Sequence, residues 1–411
     1  MTKEKIKDLI AKMTLEEKAA MCSGADFWHT ESCERLGIPA SMVSDGPHGL
    51  RKQDDKADHL GVNESIKAVC FPAGCGPAAS FNRDLLYHMG ETLGNECQAE
   101  GVSVILGPAV NIKRSPLCGR NFEYYSEDPL VASEIAGSLI RGVQSKHVGT
   151  SLKHFLANNQ ETRRMSVDEI IDERTLNEIY LAAFEGAVKK AKPWTVMCSY
   201  NKINGTYTAA HHKYLTETLR DKWGFDGYVM SDWGAVNDRV EDLKAGLDLE
   251  MPSSMGVNDK LIIEAVQNGT LEEKVLDTAV ERILNIVYRY AENRDTEAVF
   301  NLDHDHEVAK KVAEETIVLL KNDGVLPLDA SRYKKIMVTG INADDQNILG
   351  DWSASEKDEN VTTILEGLKM IAPDTQFDFV DQGWDPRNMD PKKVAEAAAR
   401  AKSADLNIVV A

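Results

Sequence analysis

No apolar run in this sequence approaches the roughly 20 residues that a bilayer crossing needs, so no membrane span is expected. Cations are scarce beside anions: 47 Lys and Arg stand against 66 Asp and Glu, a formal charge of −19 over 411 residues. Nucleic acid and anionic membrane surfaces demand a basic face, and neither is expected as a partner. A neutral small-molecule substrate fits better. Cysteine is absent from the second half of the chain. The seven that exist, at 22, 33, 70, 75, 97, 118 and 198, are odd in number and irregular in spacing. That is the usage of reduced thiols in a cytoplasmic protein. Cys70 and Cys75 have no second Cys/His pair at ligand spacing, so no metal is expected. No Gly-x-Gly-x-x-Gly follows an apolar strand and no phosphate-binding loop is present, so no cofactor is implied either. The opening Met-Thr-Lys-Glu-Lys-Ile-Lys-Asp lacks the apolar core of a secretory signal, which again points to the cytoplasm.

What is present is an ordinary globular composition, 43 % hydrophobic and 27 % charged, with length for two to three domains at about 150 residues each. Ile6, Leu9 and Ile10 share one helical face, and Thr14-Leu-Glu-Glu17 reads as a capping box. Both segments look like packing elements. From about residue 40 the chain repeats a rhythm of short apolar strand, polar loop and amphipathic helix. Strands are expected at 41–44, 102–106, 150–155, 195–200, 228–231 and 247–251, with helices near 82–100, 129–145, 172–190, 212–222, 235–245 and 258–291. This alternation signals βαβ units and a parallel sheet. Chemistry-capable residues recur after at least five strands, where a (β/α) barrel carries its active site; a doubly wound sheet would gather them at one switch point. The expected fold is therefore a TIM-like (β/α) barrel over 1–293, then a polar linker at 294–306. An α/β unit follows over 307–411, with helices at 307–321, 362–371 and 391–401 and strands at 335–340, 376–380 and 406–411. Ending on a bare buried-type strand, it reads as incomplete, to be finished by a continuation or a second chain.

One stretch dominates: Ser151-Leu-Lys-His-Phe-Leu-Ala-Asn-Asn-Gln-Glu-Thr-Arg-Arg164. It starts as a strand and then delivers two cations, an imidazole and several amides, a surface able to hold many hydroxyl groups. Glycoside cleavage needs two carboxyl groups flanking the bond and donors that grip the sugar. Asp232 ends a strand beside an aromatic and shares the barrel mouth with Lys153 and Arg164, cations expected to lower its pKa. The plain alternative is that Asp232 caps the next helix.

Taken together, Lys153-His154-Phe155, Asn158-Asn159-Gln160-Glu161, Arg164 and Ser231-Asp232-Trp233 resemble the paired signatures of glycoside hydrolase family 3, β-glucosidase branch. Further matches are Ser44-Asp-Gly-Pro-His-Gly-Leu-Arg-Lys-Gln53, Gly119-Arg-Asn-Phe-Glu-Tyr-Tyr-Ser-Glu-Asp-Pro129, Met197-Cys-Ser-Tyr-Asn201 and Val318-Leu-Leu-Lys-Asn-Asp-Gly-Val-Leu-Pro-Leu328. The resemblance covers essentially the whole chain. It implies a (β/α) barrel, often incomplete in this branch, followed by an α/β sandwich. It implies Asp232 as the nucleophile of a retaining, exo-acting β-glucosidase. Asp45, Arg120, Lys153, His154 and Arg164 would bind the hydroxyls of the sugar cleaved off, Tyr200 would sit by the nucleophile, and Met197 and Trp233 would shape the apolar wall. In such relatives the acid/base glutamate follows a strand like Leu406–Ala411, so here it is expected beyond residue 411; Glu356 and Glu359 are weaker candidates.

Alternatives remain at this level. β-Xylosidase or α-L-arabinofuranosidase activity differs only in how the pocket treats the sugar's C6 group. An N-acetylglucosaminidase would carry a Gly/His-rich loop where Ala157–Glu161 stands. A non-catalytic carbohydrate binder fits a missing acid/base. A Schiff-base aldolase on Lys153 would need a desolvated lysine, against the polar residues around it.

Overall fold

The computed structural model describes residues 1–53, 65–299, 301–344, 362–382 and 390–411. These divide into two compact units, Met1–Ile317 and a second beginning at Val318.

The first unit is built on five parallel strands: β1 (Met42–Asp45), β2 (Val102–Leu106), β3 (Gly149–Phe155), β4 (Thr195–Cys198) and β5 (Tyr228–Met230). They lie side by side in chain order. Every residue of β2 and β3 is buried, as strands covered on both faces are; in β3 that includes the polar Thr150, Ser151, Lys153 and His154. Helices return the chain between strands. Asn82 caps Arg83–Ala99 by accepting from Asp84 N and Leu85 N, and Asp128 caps Pro129–Gln144, with proline at the first turn, where its missing N–H costs nothing. These two helices approach closely because Gly90 and Gly142 face each other across the crossing: a Cβ on Gly142 would lie 2.1 Å from Tyr87 O. The expected capping box at Thr14 and Glu17 is present.

The architecture is that of an incomplete (β/α) barrel, and three local expectations need correcting. The stretch 247–251 joins its neighbours only through isolated bridges, Met230 to Leu249 and Ser23 to Glu250. The reason is Asp248, whose Oδ2 takes the Val229 N–H at 2.8 Å in place of a backbone carbonyl, while Arg220 and Arg282 hold the same carboxylate. The single helix expected over 258–291 is two, Val257–Gln267 and Glu273–Ala291, parted at Gly269 with φ of +78°. The helix expected at 307–321 runs Leu302–Thr316, capped by Asn301, so it begins inside the stretch read as linker. Its end is set by extended Ile317, the start of a β-branched pair with little helical preference.

The second unit has three parallel strands, β6 (Lys335–Thr339), β7 (Gln376–Val380) and β8 (Leu406–Val409), ordered β7-β6-β8. Thr363 forms a capping box with Glu366 ahead of Ile364–Ile371, and Asp390 caps Pro391–Ala401. Ile336, Val338, Ala343 and Leu365 form its main apolar cluster. Among the described residues no helix is long and apolar enough to cross a membrane, and no group of three or more His, Cys, Asp or Glu is placed to hold a metal ion.

Candidate active site

The residues singled out in the sequence gather at the C-terminal ends of β1–β5. Asp232, two residues past β5, is 8 % exposed. Its two oxygens differ. Oδ1 accepts from the Trp233 backbone N–H at 2.7 Å and from the Tyr200 hydroxyl at 3.0 Å. Oδ2 makes no hydrogen bond to the described residues and faces His154 Nε2 at 3.8 Å. The Tyr200 hydroxyl lies equally near Trp233 O, at 2.9 Å, and the Arg164 guanidinium stacks over its ring at 4.5 Å.

Four cations meet three anions around this mouth, with Asp45 shared between two of them. Lys153 Nζ meets Asp45 Oδ1 at 3.4 Å, and Arg51 approaches the other Asp45 oxygen at 3.9 Å. Arg164 pairs with Glu161 at 3.3 Å. Arg120 pairs with Glu123 through its Nε. Arg120 Nη2 also reaches His154 Nε2 at 2.9 Å. A guanidinium only donates, so Nε2 is an acceptor and the imidazole proton belongs on Nδ1, which lies 3.4 Å from Asn111 Oδ1. Burial, then the charges of Arg120, Lys153 and Arg164, hold the His154 pKa well below its ordinary value. His154 is thus neutral, and its approach to Asp232 is not an ion pair.

The pKa of Asp232 runs against the expectation from sequence. Arg120, Lys153, Arg164 and the Trp233 N–H do favour its charged form, but burial outweighs them and the net shift is upward. Desolvation penalises a carboxylate whatever its neighbours, and depth of burial is not written in a motif. Tyr200 is raised too, by burial first and then by Asp232, which keeps it a hydrogen-bond donor.

Asp45, Arg120, Lys153, His154, Arg164, Tyr200 and Trp233 form one connected neighbourhood around Asp232. Met197 is buried in β4, in register with Met230. Arg163 is exposed with φ of +54°, and its carbonyl accepts from the Ser166 and Val167 N–H groups, away from the others. Several supporting residues escaped the sequence reading. Trp28 and Phe27 pack on Trp233, with ring centroids 5.4 and 6.1 Å away. The Trp233 indole donates to Phe27 O at 3.0 Å, and Trp28 donates to Gln53 at 2.9 Å. Asn111 fixes the His154 backbone from both sides, accepting its N–H at 2.8 Å and donating to its carbonyl at 2.9 Å. Tyr124 and Asn158 bond to each other at 3.0 Å behind the mouth. Phe27, Trp28 and Asn111 lie outside the quoted motifs, whereas Gln53, Tyr124 and Asn158 stand within them, as does Glu123, three residues after Arg120. Glu356 and Glu359 lie outside the described residues. A cavity of about 430 Å³ lies in the second unit, lined by Thr339, Val394 and Val409 among others. It is apolar and distant in sequence from these groups.

A buried carboxylate with one oxygen clamped and one free, ringed by donors, is equipped to attack an electrophilic carbon on a hydroxyl-rich ligand. The Glycosyl hydrolase family 3 N terminal domain matches residues 32–286, and the Glycosyl hydrolase family 3 C-terminal domain matches 317–411. The chain is 52 % identical to Thermostable beta-glucosidase B of Acetivibrio thermocellus, over 99 % of this chain and 54 % of that protein. It is 46 % identical to an Exo-alpha-(1->6)-L-arabinopyranosidase of Bifidobacterium longum, over 97 % of this chain and 53 % of that one. Among solved structures it is similar to a GH3 beta-glucosidase of Bifidobacterium adolescentis, with TM-score 0.87, 44 % identity and coverage of 97 % and 57 %. Beta-glucosidase 3B of Thermotoga neapolitana in complex with alpha-D-glucose gives TM-score 0.84 at 38 % identity, covering 97 % and 56 %. The chain spans about half the length of the curated relatives it matches. Matched by both domains in order and by relatives over nearly its whole length, the chain belongs to glycosyl hydrolase family 3.

Proposed function

We propose that this chain carries the nucleophile half of a retaining, exo-acting β-glucosidase. The observation that supports it is the asymmetry of Asp232: Oδ1 is held by two donors while Oδ2 is left free. Holding one oxygen fixes the carboxylate plane and aims the other, the positioning that converts a weak nucleophile into an effective one. Oδ2 attacks the anomeric carbon, the aglycone oxygen departs with a proton, and a glucosyl ester on Asp232 is then hydrolysed. Arg120, Lys153, Asp45, His154 and Arg164 hold the sugar hydroxyls, and the Phe27–Trp28–Trp233 cluster supplies an apolar wall. We place the acid/base carboxyl beyond residue 411, on the precedent of the resemblance.

The test uses the 411-residue chain with two substrates. Dinitrophenyl β-glucoside has a leaving group that needs little protonation, so it should react in a burst and add one glucosyl mass to Asp232. Cellobiose needs general acid help worth roughly 10²–10⁴-fold and should be turned over poorly. Azide should release the trapped sugar. Rapid steady-state cleavage of cellobiose would place the acid within these 411 residues, and absence of any burst would remove Asp232 from the reaction. A second reading, a pentoside hydrolase, is favoured by the similarity to the arabinopyranosidase. Comparing nitrophenyl β-glucoside, β-xyloside and α-L-arabinopyranoside decides between them by kcat/KM.

A further inference from the structure

Behind Arg120 the wall of the mouth contains two polar groups that nothing described above explains. Glu123 is 2 % exposed. One oxygen, Oε1, takes the Arg120 Nε, and the other, Oε2, is sealed from solvent with no partner among the described residues. Burial pushes its pKa up, but Arg120 and then Lys153 pull it further down, so Glu123 is ionised. A bare oxygen on a buried carboxylate is costly and calls for a donor. A sugar hydroxyl cannot be that donor, because Oε2 does not face the solvent-accessible mouth.

The nearby donors make no hydrogen bond to Oε2. Lys153 Nζ serves Asp45, the Tyr124 hydroxyl serves Asn158 O, and Arg120 Nη2 serves His154. His48 makes no hydrogen bond to another side chain, and besides Glu123 and Lys153 the group that acts on its ring is the neighbouring Pro47 backbone. His48 is 4 % exposed, and both ring nitrogens are sealed and without a partner among the described residues. Its ring packs edge-on against Phe122, the residue before Glu123, with centroids 6.3 Å apart. Its main chain is pinned by the Phe71 N–H, which donates to His48 O at 2.7 Å. Burial lowers its pKa to about 4, with Glu123 and Lys153 the charges that act on it, so at neutral pH it is an uncharged ring with a single N–H to give.

We propose that His48 is a positioning residue whose ring N–H serves Glu123 Oε2 through one enclosed water and thereby fixes the Arg120 guanidinium at the sugar site. The chain of contacts then runs His48, Glu123, Arg120, His154, and ends beside the free oxygen of Asp232. Without the donor, the Glu123 carboxylate is free to turn about its own axis and Arg120 loses the fork that orients it. The effect falls on sugar binding rather than on folding, since His48 touches neither ligand nor nucleophile. This rests on the reading of Arg120 as a sugar ligand.

Two measurements on the 411-residue chain test it. In the first, D-glucose binding is followed by calorimetry for wild type, His48→Phe and His48→Gln. His48→Phe should bind about tenfold more weakly, as loss of an orienting hydrogen bond to a charged group would produce, and His48→Gln, which keeps an N–H, should recover most of it. Equal affinity for His48→Phe and wild type, or equal losses in the two variants, would overturn the proposal. The second measurement needs no sugar. In nitrogen-15 histidine spectra His48 should show a slowly exchanging ring N–H that moves in Glu123→Gln. No such signal, or one indifferent to Glu123→Gln, also overturns it. If wild type binds no glucose, the sugar reading fails, and the spectra alone decide the role of His48. They decide it equally if His48→Phe does not fold.

Discussion

Asp232 is charged at a cost, and that cost is measurable. Because burial raises its folded pKa above the ordinary value of 3.8, the folded state holds this proton more tightly than the unfolded one. The sign follows by linkage: its contribution favours folding below the unfolded pKa and is lost as pH rises through the folded value. Asp232→Asn removes the charge and keeps the shape. At pH 7 it should unfold at a higher temperature than wild type, by on the order of 2 °C for about 1 kcal/mol, and the gap should close as the medium is acidified below pH 4. Activity should fall by on the order of 10⁴-fold or more. A variant less stable than wild type at pH 7 would show that the surrounding cations, not burial, govern this carboxylate. Tyr200 supports the same charge by donating to Oδ1. Tyr200→Phe should lower kcat by about 10–100-fold, as loss of one hydrogen bond to a charged group of about 1.5–3 kcal/mol implies. It should also move the acid limb of the kcat/KM profile to higher pH, because a carboxylate with one donor fewer is easier to protonate. The residues that gather at the mouth were legible, since Asp232, Lys153 and Arg164 stand in recognisable runs. The residues that hold them were not. Asn111 and Trp28 come from segments without a charge pattern, and their contacts to His154 and Trp233 exist only once the strands are laid side by side.

Most elements were legible by the same logic, with failures where a side chain took over a backbone role. β2 is an apolar run of strand length between polar loops, and caps at Asn82 and Asp128 stand at the expected helix starts. The stretch 247–251 has an equally strong strand pattern, yet the Asp248 carboxylate interrupts its ladder. The break at Gly269 and the Asn301 cap were written in the chain but outvoted by helical periodicity on either side. Helix crossings are the least legible feature, because a glycine inside a helix reads only as a weak position. Gly142 shows what that reading misses. Alanine there would gain about 1 kcal/mol in helix propensity, but its Cβ would sit 2.1 Å from Tyr87 O and 2.9 Å from Gly90 Cα. Two backbones cannot part without disturbing the layer around them, and such overpacking costs about 1–3 kcal/mol. Gly142→Ala should therefore destabilise the first unit in urea unfolding with KM unchanged. A stabilised variant would mean that the crossing opens readily.

At the scale of the molecule, the two units differ in how much apolar material they enclose. The first carries a continuous core from Ile6 to Val312. In the second, Ile364, Met370, Ile371 and Val409 remain 48–78 % exposed. A smaller core leaves less to offset chain entropy, so limited proteolysis should cut beyond Val318 before it cuts within the barrel. The cysteines supply the matching clock. None of the seven is in a disulfide, all lie in the first unit, and Cys75 is the exposed one. Burial raises the thiols of Cys22, to about 12, and of Cys97 and Cys198, which keeps them protonated and inert in the folded state. A thiol-reactive dye should mark Cys75 within the mixing period and reach the deep thiols only when the barrel opens. Cys75 N–H also bonds to Phe122 O at 3.0 Å, on the segment that carries Arg120. A fluorophore at that position is a built-in optical gauge, its brightness tied to the segment that carries Arg120.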